Sequence, residues 1–314
     1  MDELAKVKYL WQGGKLVEIE NAKVHVLTPT FFWGTNVFEG IRGYWNERKA
    51  ELYFHRVDDH FTRLVESAKM MRMDLPFPPN QYFEYIRSLI TKNEIREDVH
   101  VLQVIYLDGI GHPRWYATHP TNMFLAAIPK GRTFNIEEGV STTISSWKRT
   151  SDNVVPPRIK CGSNYQNCRL AALLATADGY ESVIMLNEVG KVSEGTGYCV
   201  FMLRKGRLVT TPVTADILES ITSSTVIQLC RDIFNIQVEV RDIDRTELYV
   251  AEEIFFCGTL AEIVPVISVD RIPVGTGRPG TLTKNIQEAY FKIVKGEDDR
   301  YVSWRTPVYG HERS

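Results

Sequence analysis

The chain has 314 residues, 44% hydrophobic and 24% charged, with a formal net charge of 37 − 39 = −2. That length favours two domains, the apolar fraction is ample for packed cores without metals or staples, and no basic run marks a nucleic-acid or polyanion partner. Five cysteines with no CxxC pair cannot form a complete disulfide set, and neither a signal peptide nor a membrane-length apolar run is found, so the chain reads as cytoplasmic.

Tyr9–Trp11, Lys15–Ile19 and Lys23–Leu27 read as short strands, with a Gly13-Gly14 turn between the first two, and Glu51–Phe54 as another. Phe61, Leu64, Val65 and Ala68 recur at helical spacing within His60–Met71, and Pro76-Phe77-Pro78-Pro79 stops that segment. Gln81–Asn93 repeats the helical period. Val99–Leu107 and Asn122–Ile128 are apolar strands, joined by the loop Asp108–Pro120. A linker assigned to 129–138 then separates a small N-terminal domain, 1–128, from a larger C-terminal domain, 139–314.

In the second part, Val140–Ser146 is a strand and Asn164–Asp178 a helix. Ser182–Leu186, Tyr198–Leu203 and Arg207–Thr210 form a meander that turns at Asn187–Gly190 and Lys205-Gly206. Ile221–Ile233 is helical, Gln237–Val240 and Glu253–Cys257 are strands, and Leu282–Val294 closes as a helix. The mixture is α+β, its strands joined by hairpins rather than regular crossovers.

Three places carry polar groups that core packing does not explain. Lys160 lies between a Pro-Pro turn and a helix start, where it is either an ordinary solvated lysine or a desolvated amine fit for imine chemistry. Glu194, in Val192-Ser193-Glu194-Gly195-Thr196-Gly197-Tyr198, sits either in a plain hairpin turn or where glycines let a ligand approach the backbone. Ile221-Thr222 at a helix start and Gly258-Thr259 at a strand end offer N–H and hydroxyl groups that serve as ordinary caps or as phosphate donors.

Taken together, these stretches resemble the fold-type IV pyridoxal-phosphate enzymes, and among them the branched-chain amino-acid aminotransferases. The resemblance is carried by Trp33-Gly34-Thr35-Asn36-Val37-Phe38-Glu39-Gly40-Ile41-Arg42, His60-Phe61-Thr62-Arg63-Leu64, Lys160 through Tyr165, Glu194-Gly195-Thr196-Gly197, Gly258 through Ile263, and Gly280-Thr281-Leu282-Thr283-Lys284. They follow the family's order over nearly the whole chain. The resemblance implies a two-domain fold of the D-amino-acid-aminotransferase type, with a small α/β domain and a larger β-barrel-like domain with helices. It also implies pyridoxal 5′-phosphate as cofactor, a homodimer, and a 2-oxo acid as amino acceptor.

On the matching positions, Lys160 resembles the catalytic lysine that anchors the cofactor and then moves the proton. Glu194 resembles the carboxylate at the pyridine nitrogen, and Tyr165 the phenol at O3′. Arg63, Ile221, Thr222 and Thr259 resemble the phosphate contacts. Phe38, Trp33 and Leu260 belong to the implied substrate pocket. Where the family usually has Tyr-x-Arg, this chain has His100-Val101-Leu102, which alters both carboxylate contacts. Arg114, in Gly111-His112-Pro113-Arg114-Trp115-Tyr116, is either a solvated loop charge or a mobile carboxylate clamp of the kind found in (R)-selective amine transaminases. The expected activity is transfer from a hydrophobic, branched-chain-type amino acid or a primary amine. The alternatives are (R)-amine:pyruvate transamination, D-amino-acid transamination, lyase chemistry, and cofactor binding without turnover. No metal site is expected.

Overall fold

The computed structural model describes residues 6–110, 116 and 119–310. In chain order its elements are β1 (Tyr9–Gln12), β2 (Lys15–Glu18), α1 (Pro29–Trp33), β3 (Asn36–Asn46), β4 (Glu51–His55), α2 (Val57–Met70), α3 (Tyr82–Lys92), β5 (Val99–Leu107) and β6 (Thr121–Pro129). There follow β7 (Val140–Ile144), α4 (Asn164–Ala177), β8 (Ser182–Leu186), β9 (Val192–Gly195), β10 (Cys199–Arg204), β11 (Arg207–Thr210), α5 (Ile221–Phe234) and β12 (Glu239–Val240). The last are β13 (Glu253–Gly258), β14 (Glu262–Val269), β15 (Ile272–Pro273), α6 (Thr281–Val294) and β16 (Arg305–Pro307).

These elements fall into two units. The first comprises Met1–Gly131, Ile159–Ser163 and Lys292–Ser314, and the second Arg132–Arg158 and Asn164–Phe291. Each is therefore discontinuous in sequence. The short segment with Lys160 joins the first unit because Cys161 bridges Val37 of β3 and the Phe38 N–H donates to the Lys160 carbonyl at 2.9 Å.

In the first unit seven antiparallel strands run in the order β16-β4-β3-β5-β6-β1-β2. Helix α2 buries Val57, His60, Phe61, Leu64, Ser67 and Ala68, a stripe at the three-to-four spacing of one helix face. Asp58 and Asp59 in its first turn favour the start of the helix through its dipole. Helix α3 buries Tyr82, Ile86, Leu89 and Ile90. Both stripes share one core with Val37, Ile41, Val99, Val101 and Ile105, so the helices cover one face of the sheet.

The second unit's sheet runs β12-β11-β10-β13-β14-β7-β8-β9, with β15 on β14. The pairs β11/β12, β7/β14 and β7/β8 are parallel and the others antiparallel. Its core gathers Val200, Met202, Ile254, Phe256, Val264 and Val266, while Cys168, Ala171 and Ala175 of α4 pack against Val183 and Met185 of β8. The two sheets and their helices form the mixed α and β architecture that the resemblance implies. All five cysteines are buried and free of disulfides.

Several local expectations differ from what is found. The expected meander is interrupted: the turn at Asn187–Gly190 leads into β9, so β8 pairs with β7 and β9 while β10 pairs with β11 and β13. Lys23–Leu27 forms no strand: Val24, Val26 and Leu27 are exposed and pair with no neighbouring strand, and Pro29 then opens α1. The longest strand of the sheet, β3, was not expected, because Glu39 and Arg42 are buried in it and break the alternation of apolar and polar residues. Strand β14 was likewise not expected, and it returns antiparallel to β13 after a short turn at Thr259-Leu260-Ala261.

Candidate active site

A strand's side chains alternate between faces, so β3 divides its residues in two. Glu39 shares the helix-covered face with Val37 and Ile41. Phe38, Gly40 and Arg42 share the other face with their register partners on β5, Val104, Leu102 and His100.

On the helix-covered face Glu39 is fully buried, and its carboxylate is engaged by His60 and Arg63 of α2. Arg63 donates Nε to Oε1 at 2.7 Å and Nη2 to Oε2 at 2.8 Å, and His60 Nδ1 lies 2.7 Å from Oε2. Burial works against the charge of Glu39, but Arg63 and His60 outweigh it and hold the carboxyl at about 2. An ionised carboxylate only accepts, so His60 donates through Nδ1–H. Burial pushes the His60 imidazole below its ordinary value, against the pull of Glu39. The Nε/Nη2 edge of Arg63 is thus engaged by Glu39, and a bidentate phosphate contact through that edge would displace a buried carboxylate. Neither Glu39 nor His60 was assigned a role from sequence; the available signal was a buried-strand glutamate opposite a helix carrying His and Arg three residues apart.

Lys160 is half-buried. Its N–H donates to Ser67 Oγ at 3.2 Å, and its Nζ lies 4.8 Å from the centroid of the Phe38 ring. Lys160, Phe38, His60, Arg63, His100 and Leu102 therefore all lie within the first unit, with Lys160 joined to both β3 and α2. Trp33 ends α1, is 43% exposed and packs against Phe32. Arg114 lies outside the described residues.

The second unit assembles its own polar group. Glu194 on β9 is buried; it accepts from Arg149 Nε at 2.8 Å and from the Leu218 N–H at 3.2 Å. Burial works against the Arg149 charge, but Glu194 outweighs it and raises the guanidinium further; Cys168 and Tyr165 act in the same direction. Arg149 was not singled out from sequence, since an arginine in a polar stretch before Pro156 carries no spacing signal.

Leu218 leads into α5, where Ser220 caps the helix by accepting from the Ser223 N–H at 3.1 Å and Thr222 is buried. Ser193 Oγ also donates to the Asp216 carbonyl at 3.1 Å, so the lead-in to Ile221 and Thr222 is tied to β9. Thr259 and Leu260 occupy the β13–β14 turn, both half-buried. That turn meets the loop after Glu194: a Cβ at Gly258 would lie 2.8 Å from the Gly197 carbonyl oxygen. Tyr165 stands in the first turn of α4, half-buried and within electrostatic reach of Arg149. Among the described residues no group of three or more His, Cys, Asp or Glu could hold a metal, and no helix is long and apolar enough to cross a membrane.

The family model described as amino-transferase class IV matches residues 36–269. The chain is 37% identical over 296 residues to a probable branched-chain-amino-acid aminotransferase of Aquifex aeolicus, covering 94% of this chain and 95% of the relative. It is 36% identical over 310 residues to the branched-chain-amino-acid aminotransferase of Escherichia coli K12, covering 96% and 98%. Among solved structures, the branched-chain amino acid aminotransferase of Thermobaculum terrenum in its PLP-form superposes with a TM-score of 0.89 at 40% identity, covering 96% of this chain and 98% of that one. The branched-chain aminotransferase of Thermoproteus uzoniensis with norvaline gives 0.91 at 38% identity, covering 96% and 99%.

Proposed function

The chain belongs to the class IV aminotransferase family, and from that premise we propose a pyridoxal-phosphate transaminase acting on hydrophobic, branched-chain-type amino acids with a 2-oxo acid as acceptor. The observation that carries the reading is the placement of Lys160. Its backbone is tied to β3 and α2, and its amine stands over the Phe38 ring. A lysine kept only for solubility needs no such frame.

The donor set fits the cofactor. It contains a framed amine, a buried carboxylate oriented by an arginine, a phenol, and a helix start with a buried threonine hydroxyl. When bound, pyridoxal phosphate supplies an electron sink for the bonding electrons released at the substrate's α-carbon. Lys160 Nζ would anchor it and, when free, would hold and move the proton at the substrate's α-carbon. Glu194 would hold a proton on the pyridine nitrogen, with Arg149 keeping that carboxylate oriented. Tyr165 would donate to the ring hydroxyl. Arg63, the Ile221 and Thr222 amides, and the Thr222 and Thr259 hydroxyls would hold the phosphate. Phe38, Leu260, His100, Leu102, Trp33 and Arg114 belong to the substrate pocket.

We further propose a homodimer working in the cytoplasm. Phe31 and Phe32 on α1 are 71% and 55% exposed, an aromatic surface that a second copy would cover, and five free cysteines suit a reducing compartment. Primary (R)-amine donors receive less support, because the relatives are named for branched-chain substrates and Arg114, the cue for such donors, lies outside the described residues.

The test is spectroscopic. Leucine added to the holoenzyme should convert the visible absorbance of the lysine-bound cofactor to that of the amino-loaded form. Lys160→Ala should abolish the visible band and lower turnover by on the order of 10³-fold or more. An unchanged spectrum in that variant, or no response to leucine, glutamate and (R)-1-phenylethylamine alike, would overturn the reading.

A further inference from the structure

Helix α2 buries one residue that its position does not favour. Serine is disfavoured inside helices because its hydroxyl competes for backbone groups, yet Ser67 lies within α2 and is fully buried. Its Oγ accepts the N–H of Lys160 at 3.2 Å, from a residue 93 positions away in sequence. The helix that carries it is itself fixed: His60 and Arg63, two turns and one turn earlier, are bound to Glu39 of β3.

The other backbone groups around Lys160 are engaged as well. Its carbonyl accepts the Phe38 N–H at 2.9 Å, and Cys161 bridges Val37. The Cys161 N–H also donates to the Ile159 carbonyl at 3.0 Å, which closes a three-residue turn with Lys160 at its centre. The Lys160 φ is not positive, so the turn is of the inverse kind that an L-residue adopts without strain. Ile159 and Cys161 on either side are buried in the core of the first unit, while Lys160 between them is half-buried. The turn thus directs the lysine side chain out of the core, with its Nζ 4.8 Å from the centroid of the Phe38 ring. The bonds at 2.9 and 3.0 Å join main chain to main chain. The bond to Ser67 is made by a side chain, so a substitution can remove it alone.

We propose that Ser67 is a positioning residue for Lys160: by accepting the lysine's N–H it fixes the stretch of main chain from which the amine reaches its reacting carbon. This deepens the transaminase reading and rests on it. An amine that first bonds to a carbonyl carbon and later takes a proton from a neighbouring carbon has to reach nearly the same place in both roles. A fixed main chain lowers the entropy cost of each approach, and a displacement of about 1 Å costs on the order of a hundredfold in rate. With alanine at 67 the Lys160 N–H loses its acceptor inside the fold, and the turn has to shift to find another. The plainer role, a serine that only satisfies a buried donor, would matter for stability and leave the amine's reactivity unchanged.

The experiment reads the amine before any turnover. The full chain freed of cofactor is mixed with saturating pyridoxal phosphate, and the first-order rise of the visible band is followed. In that reaction the Lys160 nitrogen lone pair attacks the aldehyde carbon, a C=N bond forms, and the aldehyde oxygen leaves as water with two amine protons. Saturation removes any difference in phosphate affinity. Ser67→Ala should slow the rise about tenfold or more. Ser67→Cys, of similar size with sulfur as a weak acceptor, should slow it less, by about threefold or more. Ile86→Ala is the control: it removes core packing from α3 but leaves the Lys160 hydrogen bonds in place, so its rate should stay within about twofold of wild type. A rate in Ser67→Ala within about twofold of wild type, or an equal slowing by Ile86→Ala, would overturn the proposal. Should Ser67→Ala fail to fold, Ser67→Cys decides by the same twofold limit, about 0.4 kcal/mol in barrier. None of these results alters the wild-type band or its response to leucine, so failure here is separable from failure of the transaminase reading.

Discussion

The two faces of the seven-stranded sheet put one stretch of sequence to opposite uses. On the helix-covered face, Val37 and Ile41 are sealed in the core, and Glu39 is tolerated between them because Arg63 and His60 satisfy its carboxylate. On the other face, Phe38 and His100 remain half-buried, and His100 Nδ1 is buried with no hydrogen-bond partner among the described residues. A buried charge stabilises only when its partners are complete, whereas a recognition group must be left incomplete until ligand arrives. The strand's period of two lets Phe38-Glu39-Gly40 meet both demands, odd position for structure and even positions for chemistry.

The largest test of this contrast is Glu39→Ala. It removes the carboxylate and leaves Arg63, 11% exposed, facing an apolar helix–sheet interface. Breaking a buried pair from one side costs about 3–5 kcal/mol, so the urea midpoint should fall sharply. A loss under about 1 kcal/mol, the range of surface pairs, would show that the covered face does not depend on this cluster.

Acid should weaken the first unit in a graded way. Burial and the neighbouring Arg56 press the His55 imidazole down to about 3, and burial also lowers His60. Both imidazoles resist protonation when folded and take up protons more readily once unfolded. Their contribution is complete above the ordinary histidine value of 6.5 and is lost as pH falls, towards about 3 for His55. Glu39 adds to the loss only below 4.5, down to about 2. Urea unfolding from pH 7.5 to 4.5 should therefore show stability declining by up to about 1.4 kcal/mol per pH unit for each such histidine. A flat profile would mean that these imidazoles are solvated.

How much of this could be read from the sequence divides along the same line. Lys160, Glu194, Tyr165 and Thr222 stand in contiguous segments whose residue types and order carry the family resemblance, and the family match over 36–269 agrees with it. The Glu39–His60–Arg63 cluster spans separations of 21 and 24 residues. It becomes visible only once β3 is known to lie under α2. Arg149 and Glu194 are 45 residues apart and were hidden for the same reason. Lys23–Leu27 erred in the opposite direction, since alternation predicts a strand whether or not a partner strand exists. The return of Ile159–Ser163 to the first unit rests on long-range contacts with β3 and α2, which no local pattern encodes.

The smallest expected effect is the most discriminating. Leu102 is half-buried on the uncovered face, while Ile105, on the same strand, is fully buried among the core residues beneath the helices. If the uncovered face is kept for ligand, truncating Leu102 removes little that the folded chain alone requires. Leu102→Ala should cost about 1 kcal/mol or less in urea unfolding, against the 2–5 kcal/mol typical of Ile105→Ala. Its effect should instead appear as a KM for leucine raised by roughly three- to tenfold, through lost apolar contact with the substrate side chain. Equal destabilisation by the two truncations would mean that both faces are packed for stability, and the division of Phe38-Glu39-Gly40 between structure and recognition would not hold.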